Sequence, residues 1–324
     1  MEYTPKNILI TGGAGFIGSH FVVFMVKKYP GYNIYNLDIL DYCASLKRVQ
    51  EVEDSPNYEF IKGDICSMDL VDYILKEKKI DTVVHLAAQS HVCNSFGNSL
   101  AFTKTNVLGT HVLLEASLKN DIKRFVHVST DEVYGSMGDE DAATENSVLA
   151  PTNPYASSKA AAEFLVKSYA KSFKLNTVIS RSNNIYSGNQ YPEKVIPKFI
   201  GQVLAGKKMT LHGDGSPLRT FLHSSDIVSA LNIILHKGVT NSTYNVGGRT
   251  EISNRDLANK IARLMGKEPT EVIEYVEDRK FNDLRYHINS DAIEALGWRE
   301  MVDFDQGLKE TIEWITENPG YFED

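Results

Sequence analysis

Tyr155 and Lys159 stand four residues apart at the start of a predicted helix, so their side chains project from one face. An ammonium beside a phenol stabilises the phenolate. It brings a group of ordinary pKa about 10 toward neutrality and makes a general base for oxidising an alcohol. Tyr-x-x-x-Lys alone is a common surface pattern; here Pro154 pins the helix start and a dinucleotide-type loop lies upstream. Between them runs Ser129-Thr130-Asp131-Glu132-Val133-Tyr134-Gly135. Adjacent carboxylates at a strand end face opposite ways in an extended chain, so both serve one site only if the backbone turns there. Sharing a crevice, repulsion and desolvation raise one pKa, leaving one acid to give a proton and one base to take it. By spacing alone the pair fits helix capping or a solvated loop equally well.

The elements that must position these groups begin with Ile8-Leu9-Ile10, an apolar β-branched run suited to a strand buried on both faces. Gly12, Gly15 and Gly18 follow at the spacing of a dinucleotide loop. They allow a sharp turn, close approach of a pyrophosphate and tight packing of the new helix, whose first N–H groups at Phe16 and Ile17 face the phosphates. That helix is expected over 16–29, with the next strand ending at Asp38, where a ribose-binding acid favours NAD over NADP. Alternation continues: strands at 58–62, 82–86 and 125–129, helices at 69–78, 100–118 and 155–173, and a strand at 177–180. This predicts an α/β chain with a Rossmann-type doubly wound parallel sheet, ligands lying at the carboxyl ends of the strands near Asp64, Ala87, Ala88, Ser90, Ser129 and Thr130. The polar, acidic stretch 135–152 is expected to be a mobile surface excursion. Beyond residue 182 the alternation fades into Gly-, Pro- and Asn-rich segments. The expected organisation is therefore a cofactor domain over 1–182, with some returning segments from the second half, and a smaller substrate lobe over 183–324, capped by a helix at 305–316.

Composition sets the class. The 324 residues are 42% hydrophobic with a net charge of −8, enough for a packed core and contrary to a nucleic-acid surface. Cys43, Cys66 and Cys93 lack metal-ligand spacing, so no metal site is expected and a reducing cytoplasm is favoured. No apolar stretch reaches membrane-spanning length and the first residues do not read as a signal peptide.

Taken together, the glycine loop, Thr130-Asp131-Glu132, Asn153-Pro154-Tyr155-Ala156-Ser157-Ser158-Lys159-Ala160, Pro192-Glu193-Lys194-Val195-Ile196-Pro197 and His212-Gly213-Asp214-Gly215 resemble the NDP-glucose 4,6-dehydratases of the extended short-chain dehydrogenase/reductase superfamily. The likeness runs over 7–314. Related UDP-galactose 4-epimerases lack the Asp-Glu pair, and glucuronate decarboxylases carry serine where Asp131 stands. The segments 41–47 and 281–286 look like the eukaryotic branch, which includes plant UDP-rhamnose synthase dehydratase domains.

The resemblance implies a redox-neutral cycle on an NDP-glucose, UDP-glucose favoured and dTDP-glucose next, giving NDP-4-keto-6-deoxyglucose for deoxysugar synthesis. Tyr155, helped by Thr130, would take the C4 hydroxyl proton as hydride leaves for NAD. Glu132 would remove the C5 proton and Asp131 would protonate the departing C6 hydroxyl. Lys159 would hold the nicotinamide ribose, Asp64 and Ile65 the adenine, and Leu86, Ala87, Ala88, Thr105 and Ser129 would line the cofactor. Ser90, Asn184 and Glu193 would meet the sugar or its phosphate. Lys194, Val195, Lys198, Thr210, Leu211, His212, Arg219, Asn254, Arg279 and Asn282 would hold the nucleotide. A homodimer through the helices at 100–118 and 155–173 is implied as well. Three departures from the family pattern stand near the substrate: Cys93, expected as a small buried residue, Ser187 and Lys280. A 4-epimerase or a non-catalytic NAD-binding scaffold are the alternatives.

Overall fold

A computed structural model of the chain describes residues 2–138, 142–278 and 283–321; Arg279, Lys280 and Asn282 therefore lie outside the described residues. The apolar runs form β1 (Asn7–Thr11), β2 (Asn33–Asp38), β3 (Tyr58–Lys62), β4 (Thr82–His85), β5 (Arg124–Thr130) and β6 (Thr177–Ser182). Side chains alternate between two cores. Ile8, Ile10, Val84 and Val126 enter one, with α1 (Phe16–Lys28), while Leu9, Val83 and Phe125 enter the other, with α2 (Met68–Glu77). Both faces being buried, the strands read as nearly continuous apolar runs.

The sheet is parallel, in the order β10-β6-β5-β4-β1-β2-β3. β1 pairs with both β2 and β4, so the strand order reverses there and opens a crevice at their carboxyl ends. The seventh strand, β10 (Thr243–Val246), returns from late in the chain to pair with β6. The remaining strands form small sheets beside the crevice: β11-β9-β7 and β12-β8, from β7 (Asn184–Tyr186), β8 (Met209–His212), β9 (Leu218–His223), β11 (Glu251–Ser253) and β12 (Ile273–Val276). Tyr186, Phe199, Leu211, Phe221, Leu257 and Phe304 fill a separate core there. No helix among the described residues is long and apolar enough to cross a membrane.

Two expectations need correction. The helix foreseen over 100–118 is helical but not uniformly α: α3 (Val92–Gly97) and α4 (Ser99–Phe102) precede a π-helical turn at Thr103–Gly109, which leads into α5 (Thr110–Lys119). The wide turn carries Asn106 inward, where its amide accepts from Gln89 N at 2.8 Å and donates to Gln89 O at 2.9 Å and Ser158 Oγ at 2.8 Å. Such bulges recur at functional sites. The stretch 135–152 is also no loose excursion where it is described. Ala150 N donates to Val133 O at 3.1 Å, buried Ala143 pairs with the strand-like segment at His287 and Asn289, and Glu145 accepts from Asn245 N at 2.9 Å. Its polar composition reads as surface because the partners that anchor it lie far away in sequence.

Candidate active site

The glycine loop is shaped by close approach. Gly12 has φ +75°, and a Cβ there would sit 2.6 Å from Ala87 N; a Cβ on Gly18 would sit 2.1 Å from Gly12 O. Gly15 is the N-cap of α1 and no side chain caps that end, so its N–H groups face the crevice. Asp38, at the end of β2, takes Ala14 N at 2.9 Å and Leu40 N at 2.8 Å. It is buried, and desolvation raises its pKa despite these bonds.

β5 then delivers the acid pair. Instead of continuing extended, the chain turns at once into a single 3-10 turn, Asp131–Tyr134, capped by Thr130 Oγ accepting from Glu132 N at 3.3 Å. The required turn is present. Asp131 is buried and accepts from Asn183 Nδ2 at 2.6 Å and from Thr130 Oγ at 3.2 Å. Desolvation raises it to about 6 and Glu132 to about 7, the Asp131 charge adding to the burial of Glu132. The expectation of one raised pKa is therefore revised: both rise, because both are desolvated. Both carboxyls are thereby held closer to protonation at neutral pH than ordinary acids.

Pro154 opens α6 (Pro154–Phe173), and Asn153 serves both ends of the site: its Oδ1 accepts from Ala156 N at 2.9 Å and its Nδ2 donates to Glu132 Oε2 at 3.3 Å. Tyr155 and Lys159 are both buried. The ammonium does not lower the phenol. Burial first and Glu132 second raise the Tyr155 pKa, against a hydrogen bond from Thr130, while Lys159 donates to Val128 O at 2.7 Å. Desolvation pushes Lys159 down to about 8, opposed by Glu163. Residue spacing sets both groups on one face, but burial, which spacing does not report, outweighs their pairing here.

Tyr155, Lys159, Thr130 and Glu132 line one cavity of about 770 Å³, toward the upper end for small-molecule sites. Along it lie Gly12, Gly15, Phe16, Ile17, Gly18, Asp38, Asp64, Ile65, Leu86, Ala87, Ala88, Thr105, Ser129, Thr130, Glu132, Tyr155 and Lys159. Ser90, Asn184, Glu193, Lys194, Val195, Lys198, Thr210, Leu211, His212, Arg219 and Asn254 line it too. Of the expected site residues that are described, Asp131 alone is absent from the lining; it sits in the wall behind Thr130 and Asn183. Cys93 is exposed and lines the cavity, contrary to the expected buried position. It follows directly on the chain's exit from β4 into α3, where the backbone borders the crevice. Ser187 is buried, its hydroxyl 3.2 Å from His20 Nε2.

Sequence reasoning missed several groups. Asn183 holds Asp131. Tyr286, beneath the Arg219 guanidinium at 4.9 Å, bonds Asp283 and lines the cavity. Tyr42 donates to Glu193 at 2.8 Å and Gln89 to Asp41 at 2.5 Å, stitching the loops after β2 and β4 to the approach of α7 (Val195–Leu204). Only Asn153, a cap residue before proline, carried a local signal. The residues fit a dinucleotide on structural grounds: the glycine cradle excludes side chains, and buried Ser129 Oγ, at the cavity wall, has no partner among the described residues.

A parallel sheet with a glycine loop at its reversal point, facing a Tyr-x-x-x-Lys helix across the crevice, defines the Rossmann-type short-chain dehydrogenase/reductase class. Residues 9–311 match the model of the GDP-mannose 4,6 dehydratase family, and the chain belongs to that family. It is 47% identical to the dTDP-D-glucose 4,6-dehydratase of Homo sapiens over 97% of this chain and 91% of that one. It is 51% identical over 99% of its length to a trifunctional UDP-glucose 4,6-dehydratase/UDP-4-keto-6-deoxy-D-glucose 3,5-epimerase/UDP-4-keto-L-rhamnose-reductase of Arabidopsis thaliana, of which it spans 49%, about half. The crystal structure of a dTDP-glucose 4,6-dehydratase from Streptomyces venezuelae with NAD bound superposes with a TM-score of 0.95 at 38% identity, covering 98% of this chain and 99% of that chain.

Proposed function

We propose that this protein removes water from an NDP-glucose to give the NDP-4-keto-6-deoxyglucose, with NAD as a tightly held cofactor. The observation that carries the reading is that Tyr155, Thr130 and Glu132 line the same cavity as the glycine cradle. Bound NAD supplies an acceptor and donor of hydride. Gly12, Gly15, Phe16, Ile17, Gly18 and Asp38 hold its pyrophosphate and ribose, Asp64 and Ile65 its adenine, and Lys159 the second ribose. Tyr155, with Thr130 beside it in the cavity lining, takes the proton of the C4 hydroxyl. Its raised pKa in the protein alone means that the positive charge of an oxidised nicotinamide would have to lower it on binding, since an anionic sugar nucleotide acts the other way. With C4 oxidised, C5 is acidic; Glu132, which faces the cavity, takes that proton, Asp131, reached through Thr130, gives a proton to the leaving C6 hydroxyl, and return of the hydride to C6 and of a proton to C5 completes the 4-keto-6-deoxy product. The tandem acid disfavours a 4-epimerase, which needs no elimination.

UDP-glucose is the proposed donor and dTDP-glucose the second choice, on the eukaryotic-like segments 41–47 and 281–286 and the likeness to the Arabidopsis chain. One methyl separates the two bases and is worth only about 1–3 kcal/mol in a pocket. We assign cofactor binding to 1–182 and nucleotide-sugar binding mainly to 183–324, in a cytoplasmic homodimer of a deoxysugar pathway of the rhamnose type. Exposed Leu100, Leu108, Phe164 and Phe173 on the π-turn and α6 side support the dimer. Incubation with each sugar nucleotide followed by mass spectrometry tests the activity: loss of one water supports it, and unchanged mass with both contradicts it.

A further inference from the structure

Beneath the site lies a charged group that the scheme above does not use. Glu163, one helical turn beyond Lys159 on α6, and Arg181 of β6 are both fully buried. Arg181 Nε donates to the Glu163 carboxylate at 2.9 and 3.1 Å, and Nη2 at 2.5 Å. Its Nη1 donates to Tyr134 Oη at 2.6 Å, with the guanidinium over the Tyr134 ring at 4.7 Å, and Tyr134 Oη donates to Asn245 Oδ1 at 2.7 Å. Tyr134 closes the turn that carries Asp131 and Glu132. A buried ion pair is a weak source of stability, because desolvation offsets its attraction; what it fixes is geometry.

We propose that the Glu163–Arg181–Tyr134 chain is a positioning device for the reaction, tying the helix that carries Tyr155 and Lys159 to the turn that carries the two acids. Glu163, four residues on from Lys159, also sets a carboxylate on the same face of that helix. This rests on the functional reading above, in which the helix serves oxidation and the turn serves elimination. The groups facing Lys159 agree with it. His85 on β4 and His127 on β5 are held neutral by burial, Tyr155 on α6 is held protonated, and Glu163, which also pairs with Lys167 Nζ at 3.5 Å, is the negative charge opposing the desolvation of the ammonium. Both His127 nitrogens lack a partner among the described residues, so no hydrogen bond there raises its affinity for a proton.

The test is stopped-flow absorbance of reduced nicotinamide across pH, with calorimetry of NAD binding as a readout that needs no turnover. Removing the Glu163 charge lets Lys159 lose its proton at lower pH. In Glu163→Gln the alkaline limb of the oxidation step and that of NAD affinity are both expected to move down by roughly one pH unit. Tyr134→Phe is expected to slow water loss roughly three- to tenfold while leaving oxidation within about twofold and its alkaline limb in place. Unmoved limbs in a folded Glu163→Gln, or elimination at the parent rate in Tyr134→Phe, overturn the proposal; if Glu163→Gln does not fold, the second variant decides alone. A parent protein that removes no water overturns the functional reading instead, and the calorimetric limb then decides the role of Glu163.

Discussion

At the residue scale the phenol and the two carboxyls share one electrostatic problem. Tyr155 and Asp131 are buried and Glu132 is half-buried, and desolvation opposes charge on each, so the protein alone keeps Tyr155 protonated and holds both carboxyls above their ordinary range. Tyr155→Phe is expected to lower turnover by about 10²–10⁴-fold and to abolish the reduced-nicotinamide transient; a normal transient removes Tyr155 from the role of base. Asp131→Asn is expected to slow water loss more than oxidation, so that the transient forms and persists; unaltered decay excludes Asp131 as the acid. The same shifts make a stability prediction. Glu132 has a folded-state pKa of about 7 against an ordinary glutamate value of about 4.3. The folded protein therefore binds more protons between those values, and its stability falls as pH rises through that window. Glu132→Gln is expected to be more stable than the parent at pH 8, by on the order of 1 kcal/mol, and nearly equal at pH 4, as urea titrations at the two pH values will read. Tyr155, Lys159, Asp131 and Glu132 were legible because residue type and local spacing carry them. Their ionisation was not, since burial is set by neighbours such as Asn183 and Val128, which only the assembled sheet brings near.

At the scale of elements, what shapes the site is where regular structure breaks. β1 stops at a loop that only glycine can thread past Ala87, and β5 stops at a 3-10 turn that aims two adjacent carboxyls at a common region. The helix before α5 widens to admit Asn106. The first break is visible in the sequence as a glycine spacing and the second as a requirement of the acid pair. The third is invisible, because Asn106 turns inward for partners at Gln89 and Ser158, far from its own turn. Asn106→Leu leaves the backbone N–H and C=O of Gln89 without their partner and is expected to cost about 2–4 kcal/mol in urea unfolding; a loss below about 0.5 kcal/mol contradicts the bracing role.

At the scale of the whole molecule, the parallel sheet and its flanking helices followed from the strand–helix alternation over the first 180 or so residues. The return of β10 to the sheet, and the anchoring of Ala143 against Ile288, depend on pairings between distant segments that periodicity does not encode. The apolar residues left exposed on the π-turn and α6 belong to the proposed dimer. Replacing Phe164 and Leu108 by glutamate is expected to halve the mass found by light scattering, and an unchanged mass excludes that face. In the proposed reaction one sugar is oxidised at C4, dehydrated and reduced at C6 within one cavity without releasing its hydride. UDP-glucose deuterated at C4 distinguishes this from any other course, with the product read by mass spectrometry and NMR. The expected product is lighter by one water and carries the deuterium in the C6 methyl group. Deuterium remaining at C4 with no change in mass, or lost from a dehydrated product, would contradict it.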